Sequence, residues 1–114
     1  MRITWKASDG AVKVTHISDI MGSHRLDPIT VVTIDHEPGK GTLIVQCFDQ
    51  AWTAYWGAMY GGGAPCDVRR FMATCHADYI AANLVRGMPI TNMTIRNQQE
   101  AYLLRIVTAI KESL

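Results

Sequence analysis

No stretch of the chain approaches the 18 or more apolar residues of a membrane-spanning helix. The opening residues, MRITWKASDG, lack the apolar core of an export signal, so the expected setting is the cytoplasm, with no membrane contact. A bias toward one sign of charge is missing too. Eleven Lys and Arg against ten Asp and Glu leave +1, too little to imply nucleic acid as a partner. Cysteine is scarce and odd in number, three in all, which without an export signal reads as reduced thiols. There is no internal repeat, and no low-complexity stretch beyond Gly61-Gly62-Gly63. Apolar residues are what the chain has in plenty: 48% hydrophobic against 18% charged excludes a disordered protein. A length of 114 residues leaves room for one core, hence a single domain over 1–114.

The first half carries strand patterns. Asp9-Gly10 between two β-prone runs predicts a two-residue type I′ turn, because both central positions need positive φ. That register sets Trp5 opposite Val14 and Lys6 opposite Lys13. It gives Ile3, Trp5 and Ala7 a common face with Val12, Val14 and His16. Residues 18–27 are too polar to continue a strand and read as a loop. Ile29–His36 is rich in β-branched residues, and Glu37-Pro38-Gly39-Lys40-Gly41 supplies the turn to a partner strand over Thr42–Phe48. Ala51–Gly57 follows, with Trp52, Ala54 and Trp56 on one face.

The second half carries helical patterns. Gly61-Gly62-Gly63 reads as a flexible hinge. Val68, Phe71, Met72 and Cys75 then recur at i, i+3, i+4 and i+7, continued on the same face by Tyr79, Ala82 and Asn83, with Ile80 and Leu84 slightly off it. The segment is one long helix to about Val85 or two short ones bent near His76–Asp78. Met88–Arg96 resists helix and could add an edge strand through Ile90–Ile95. Asn97 and Glu100 resemble a capping box at the start of a last helix, whose stripe is Leu103, Ile106, Val107, Ile110 and Leu114. The expected fold class is α+β: an antiparallel β-meander of about five strands (residues 2–57) packed on one side by two or three C-terminal helices, about 66–86 and 97–113. The last helix should lie on the face carrying Trp5, Val14 and either Leu43 and Val45 or Trp52 and Trp56.

Chemistry-bearing motifs are sparse. A structural zinc site wants cysteines two to four residues apart, whereas eight residues separate Cys66 from Cys75 and Cys47 falls on a strand. No metal and no cofactor is expected. Cys47 and Cys75 read as small buried apolar residues. Cys66, near a helix start, is the one thiol expected to be partly exposed and open to a lowered pKa. Adjacent Cys75 and His76 point about 100° apart on a helix and make a poor nucleophile–base pair. Gly39-Lys40-Gly41-Thr42 fails as a phosphate loop, because Ile34 stands where the earlier Gly is needed and strands flank it on both sides. His16 is expected to pack beside Ile3, with His24 and His36 exposed. No acid–base role and no catalytic residue follows.

The densest aromatic cluster is Trp52, Tyr55, Trp56 and Tyr60, with Arg69 and Arg70 beyond the glycines. Packing against helices is the ordinary fate of two large aromatics in a small domain. The functional reading of the same six residues is a binding surface, for a partner protein or for stacked bases.

Three segments together resemble a group of small proteins of phages and prophages of Gram-negative bacteria: Leu26-Asp27-Pro28-Ile29-Thr30-Val31, Glu37–Gly41, and Ala51–Met59 (AWTAYWGAM). That group also carries a Phe-rich segment followed by Cys and an Asp-Tyr pair, here Phe71 to Tyr79, with Met72 replacing the second aromatic. The resemblance covers about residues 26–84. It implies a phage or prophage origin and no reaction. It favours a non-enzymatic accessory protein that binds a host protein, for example an inhibitor of a defence system such as CRISPR–Cas. The alternatives are a small nucleic-acid binder using the aromatic and basic residues, and a thiol-dependent enzyme through Cys66 or Cys75. A homodimer through a sheet edge at residues 2–6 is a further expectation.

Overall fold

Five strands, each hydrogen-bonded to the next in sequence, form an antiparallel sheet in the order β1-β2-β3-β4-β5 in a computed structural model of the chain. They are β1 (Arg2–Asp9), β2 (Val12–Ser18), β3 (Ile29–Glu37), β4 (Lys40–Cys47) and β5 (Gln50–Trp56). The structure describes residues 2–9, 11–20 and 26–114, the side chains of 5–9 excepted. Alternation decides the inner face. Ile29, Val31 and Thr33 on β3, Leu43, Val45 and Cys47 on β4, and Trp52, Ala54 and Trp56 on β5 are all buried. Pro38-Gly39 turns β3 into β4 with Gly39 at φ +82, the positive value a type II turn asks of that position. Glu37 and Lys40 close the turn with a 2.7 Å ion pair. Phe48 and Asp49 turn β4 into β5, with Phe48 at φ +58 and 71% exposed.

The first hairpin departs from expectation by one residue. An irregularity between Ala7 and Asp9 shifts the register, so Trp5 pairs with Thr15, Lys6 with Val14 and Ala7 with Lys13. Gly10 lies outside the described residues. Because side chains alternate with period two, a one-residue slip turns the whole of β2 over. Thr15 and Ile17 therefore face the core, while Val14 and His16 face away from it. His16 does not pack beside Ile3; it is exposed, and its Nδ1 lies 3.2 Å from Thr30 Oγ1. In the expected loop, Ile20 and Leu26 form an isolated bridge and are both buried. His24 lies outside the described residues.

Where a hinge was expected, the chain makes a tight hairpin. β6 (Tyr60–Gly61) pairs with β7 (Ala64–Pro65) through Gly62 and Gly63, at φ +64 and +82. Two successive positive φ values define a type I′ turn, and glycine takes both without steric cost. Three helices follow: α1 (Val68–Thr74), α2 (Ala77–Arg86) and α3 (Met93–Glu112). The 68–85 segment is thus two helices. Cys75 and His76 between them are extended, which resets the helical phase. The buried residues of α2 are accordingly Ile80, Ala81, Leu84 and Val85, rather than the expected continuation through Tyr79, Ala82 and Asn83.

α3 begins four residues before the expected site. The Asn92 side chain accepts from the amides of Thr94 and Ile95 at 2.9 and 3.2 Å, so Asn92 is the N-cap and Asn97 is interior. The edge strand expected over Ile90–Ile95 is replaced by helix from Met93, since a good cap outweighs the small helix penalty of Thr94 and Ile95. Leu103, Ile106, Val107 and Ile110 are buried as the stripe requires. They join one core with Leu43, Val45 and Trp52, whereas Val14 lies on the far face.

The approach of α1 to the sheet depends on Gly41. A Cβ there would collide with Val68 Cγ2 and sit 2.9 Å from Met59 Cε. The Asp35 carboxylate accepts from the Val68 amide at 2.8 Å, which pins the start of α1 to β3. Gly41→Ala should therefore destabilise the protein by about 1–3 kcal/mol through overpacking. Ile106→Ala should cost about 2–5 kcal/mol by leaving a cavity. Urea unfolding reads both; a change below about 0.5 kcal/mol at either position would place that residue outside the core.

Candidate binding cleft

Where α1 gives way to α2, the chain opens an aromatic cleft. Asp67 starts α1 by accepting from the Arg70 amide at 2.8 Å. Thr74 ends it, its hydroxyl donating to the Phe71 carbonyl at 3.0 Å. The extended pair Cys75-His76 then re-aims the chain, and Tyr79 on α2 returns over Phe71. Tyr60 on β6 forms the opposite rim. The result is an open cleft of about 430 Å³ lined by Ala58, Tyr60, Phe71, Thr74, Cys75, His76 and Tyr79. Tyr60 and Tyr79 are 58% and 47% exposed, while Phe71 is buried. Phe71 meets Tyr79 edge-on at 6.4 Å between centroids and Trp56 at 5.3 Å, so the rings form a continuous aromatic column from core to surface.

The six residues singled out in the sequence do not form one surface. Trp52 and Trp56 lie on the inner face of β5 and are buried, and neither indole N–H has a partner among the described residues. Trp52 packs against Tyr102 of α3 at 5.8 Å. Tyr55 is exposed on the opposite face of the sheet, edge-on to His36. Tyr60 lines the cleft, and Arg69 and Arg70 are exposed on α1. The Arg70 guanidinium lies alongside the β6–β7 turn, its Nε 3.5 Å from where a Cβ on Gly61 would stand. Phe71, Cys75 and Tyr79 are the cleft residues that the periodic reading assigned to a plain helix face. The signal that separates them is the helix break, which one sequence leaves ambiguous.

The thiols are not activated. Cys66 is buried, contrary to expectation, and burial pushes its pKa up, with Asp67 adding to the shift. Cys75 is half-buried and its thiol is likewise raised by burial. Its carbonyl accepts from the Lys111 ammonium, which ties α3 to the floor of the helix break. Cys47 is buried and accepts from the Tyr102 hydroxyl at 3.3 Å; burial raises its pKa too. Three His, Cys, Asp or Glu side chains placed to hold a metal ion do not occur among the described residues. No helix there is long and apolar enough to cross a membrane.

Residues 11–94 match the model of a phage family, Phage_phiTE_072. The chain belongs to that family. No curated protein and no solved structure gives a significant match.

Burial, helped by the bond to Cys47, pushes the Tyr102 phenol up to about 12 from its ordinary value of 10.0. The unfolded chain therefore loses this proton first as pH rises. The contribution to stability is complete below the unfolded pKa and is lost on passing through the folded one. Absorbance titration should show one phenol ionising late, and Tyr102→Phe should remove that step. If all four tyrosines titrate together, Tyr102 is not held as described.

Proposed function

We propose that this phage-family protein acts by stoichiometric contact with a protein of its bacterial host, inside the host cell, and that the aromatic cleft is its contact surface. The observation that carries the reading is the pair of half-exposed tyrosines, Tyr60 and Tyr79, standing over the buried ring of Phe71. Tyrosine offers a large apolar area at low cost in side-chain entropy and is enriched at binding hot spots. A rigid aromatic floor beneath it means that little order has to be created on binding. The cleft lining has no Lys, Arg, Asp or Glu, which fits an aromatic or aliphatic anchor rather than a charged one. The class of partner proposed is a component of host defence, such as a CRISPR–Cas effector.

The test is a photo-crosslinker at position 60, with the full chain expressed in a bacterial host. One discrete host protein should be captured, and Tyr79→Ala should abolish that capture. Because both tyrosines are exposed, Tyr60→Ala with Tyr79→Ala should change stability by under about 1 kcal/mol. The same double variant should weaken binding of the captured protein by about 2 kcal/mol or more, the scale of a hot spot. Capture of nucleic acid, with affinity falling steeply as salt rises, would instead assign the surface to phosphate-driven binding through Arg69 and Arg70.

A further inference from the structure

The helices cover only one face of the sheet. On the other, a sheet in contact with water normally presents polar residues. Here the centre of that face is aliphatic. Val14 pairs with Val32 and Val32 with Ile44 across β2, β3 and β4, and Ile34 stands two residues along β3 on the same side. All four are half-buried by one another, with no helix above them. Tyr55 extends the patch onto β5, 58% exposed.

We propose that this outer face docks a second copy of the chain, sheet against sheet, as a two-fold dimer. Two properties of the face select that occupant. First, away from the hairpin tips it lacks Lys, Arg, Asp and Glu: the other outward positions of β2 to β5 beside the aliphatic row are Val12, His16, Ser18, Thr30, His36, Thr42, Gln46, Ala51 and Thr53. A face that meets its own copy must not repel itself, and neutrality satisfies that condition. Among the described side chains, charge on this side stands at the margins, with Arg2 on the edge strand β1 and the Glu37–Lys40 pair at a hairpin tip. Second, the area is sufficient. The four strands β2 to β5, about 4.8 Å apart and each roughly seven residues long at about 3.4 Å, present on the order of 450 Å² per copy. A pair then buries about 900 Å², in the range of weak and transient association, so the dimer is concentration-dependent. Inward-facing sheets pack about 10 Å apart, a spacing that valine and isoleucine fill. This surface lies on the opposite layer from the aromatic cleft and does not depend on it.

Sedimentation equilibrium of the full chain tests the proposal. The mass should rise from 12.7 kDa toward twice that value, with Kd between about 1 and 100 μM. Val32→Thr with Ile44→Thr keeps β-branched side chains in place and should raise Kd at least about tenfold, while Tyr60→Ala with Tyr79→Ala leaves it unchanged. A single 12.7 kDa species up to about 0.5 mM, or a dimer that the threonine pair leaves undiminished, overturns it. Methyl NMR of the unsubstituted chain supplies the check that needs no variant. Dilution should shift the Val32 and Ile44 methyl signals, and signals that stay fixed while the mass falls would show that the copies meet elsewhere.

Discussion

The closeness of α1 to the sheet at Gly41 is the constraint from which the rest of the molecule follows. Glycine at that one inward position of β4 lets Val68 and Met59 settle directly on the strand. The Asp35 carboxylate fixes the height and angle of the helix start through the Val68 amide. Three backbone bonds lock the same corner: Met59 to Gly39 at 2.7 Å, Cys66 to Met59 at 3.2 Å and Gly39 to Cys66 at 3.3 Å. With α1 fixed there, α2 falls against β5 and α3 along α2, and the inner face of the sheet is closed from above. The tyrosine cleft exists because this arrangement leaves α1 only two turns before the chain must change direction.

Features that repeat along a strand or helix were legible in the sequence, and features set by a single local event were not. Strand patterns over Thr42–Phe48 and Ala51–Gly57 told strand from helix and put Trp52, Ala54 and Trp56 on one face, while leaving open whether that face or the one carrying Leu43 and Val45 met the helices. Period 3.6 in Leu103, Ile106, Val107 and Ile110 marked the apolar stripe of α3. The slip between Ala7 and Asp9 adds one residue that composition cannot announce, yet it reverses the sense of β2. The two extended residues at Cys75-His76 have the same effect on α2. Asn92 against Asn97 as the N-cap was a competition between two similar signals, decided by the bonds that the Asn92 side chain accepts from the Thr94 and Ile95 amides. The candidate site suffered most from these local events. Strand alternation puts Trp52 and Trp56 on one face and the packed helices bury it, whereas the partnership of Tyr60 with Tyr79 needs both the glycine hairpin and the helix break.

The three cysteines are all wholly or partly buried. Cys47 sits beneath the Tyr102 hydroxyl, Cys66 beside Gly61, and Cys75 at a helix end whose carbonyl is held by Lys111. Burial raises the pKa of each thiol. The aromatic column from Trp56 through Phe71 to Tyr79 instead makes the cleft floor stiff, and a stiff floor suits recognition by shape.

The turn between β4 and β5 has a consequence for how the sequence can drift. Phe48 occupies a left-handed backbone conformation that a bulky side chain adopts only at a cost, and its ring is mostly in water, where it contributes little burial. Glycine or asparagine would relieve the backbone and remove exposed apolar surface together. Thermodynamic selection at this position therefore runs away from the residue present. The fold gains little burial from phenylalanine there, so stability alone favours drift toward smaller, more polar residues.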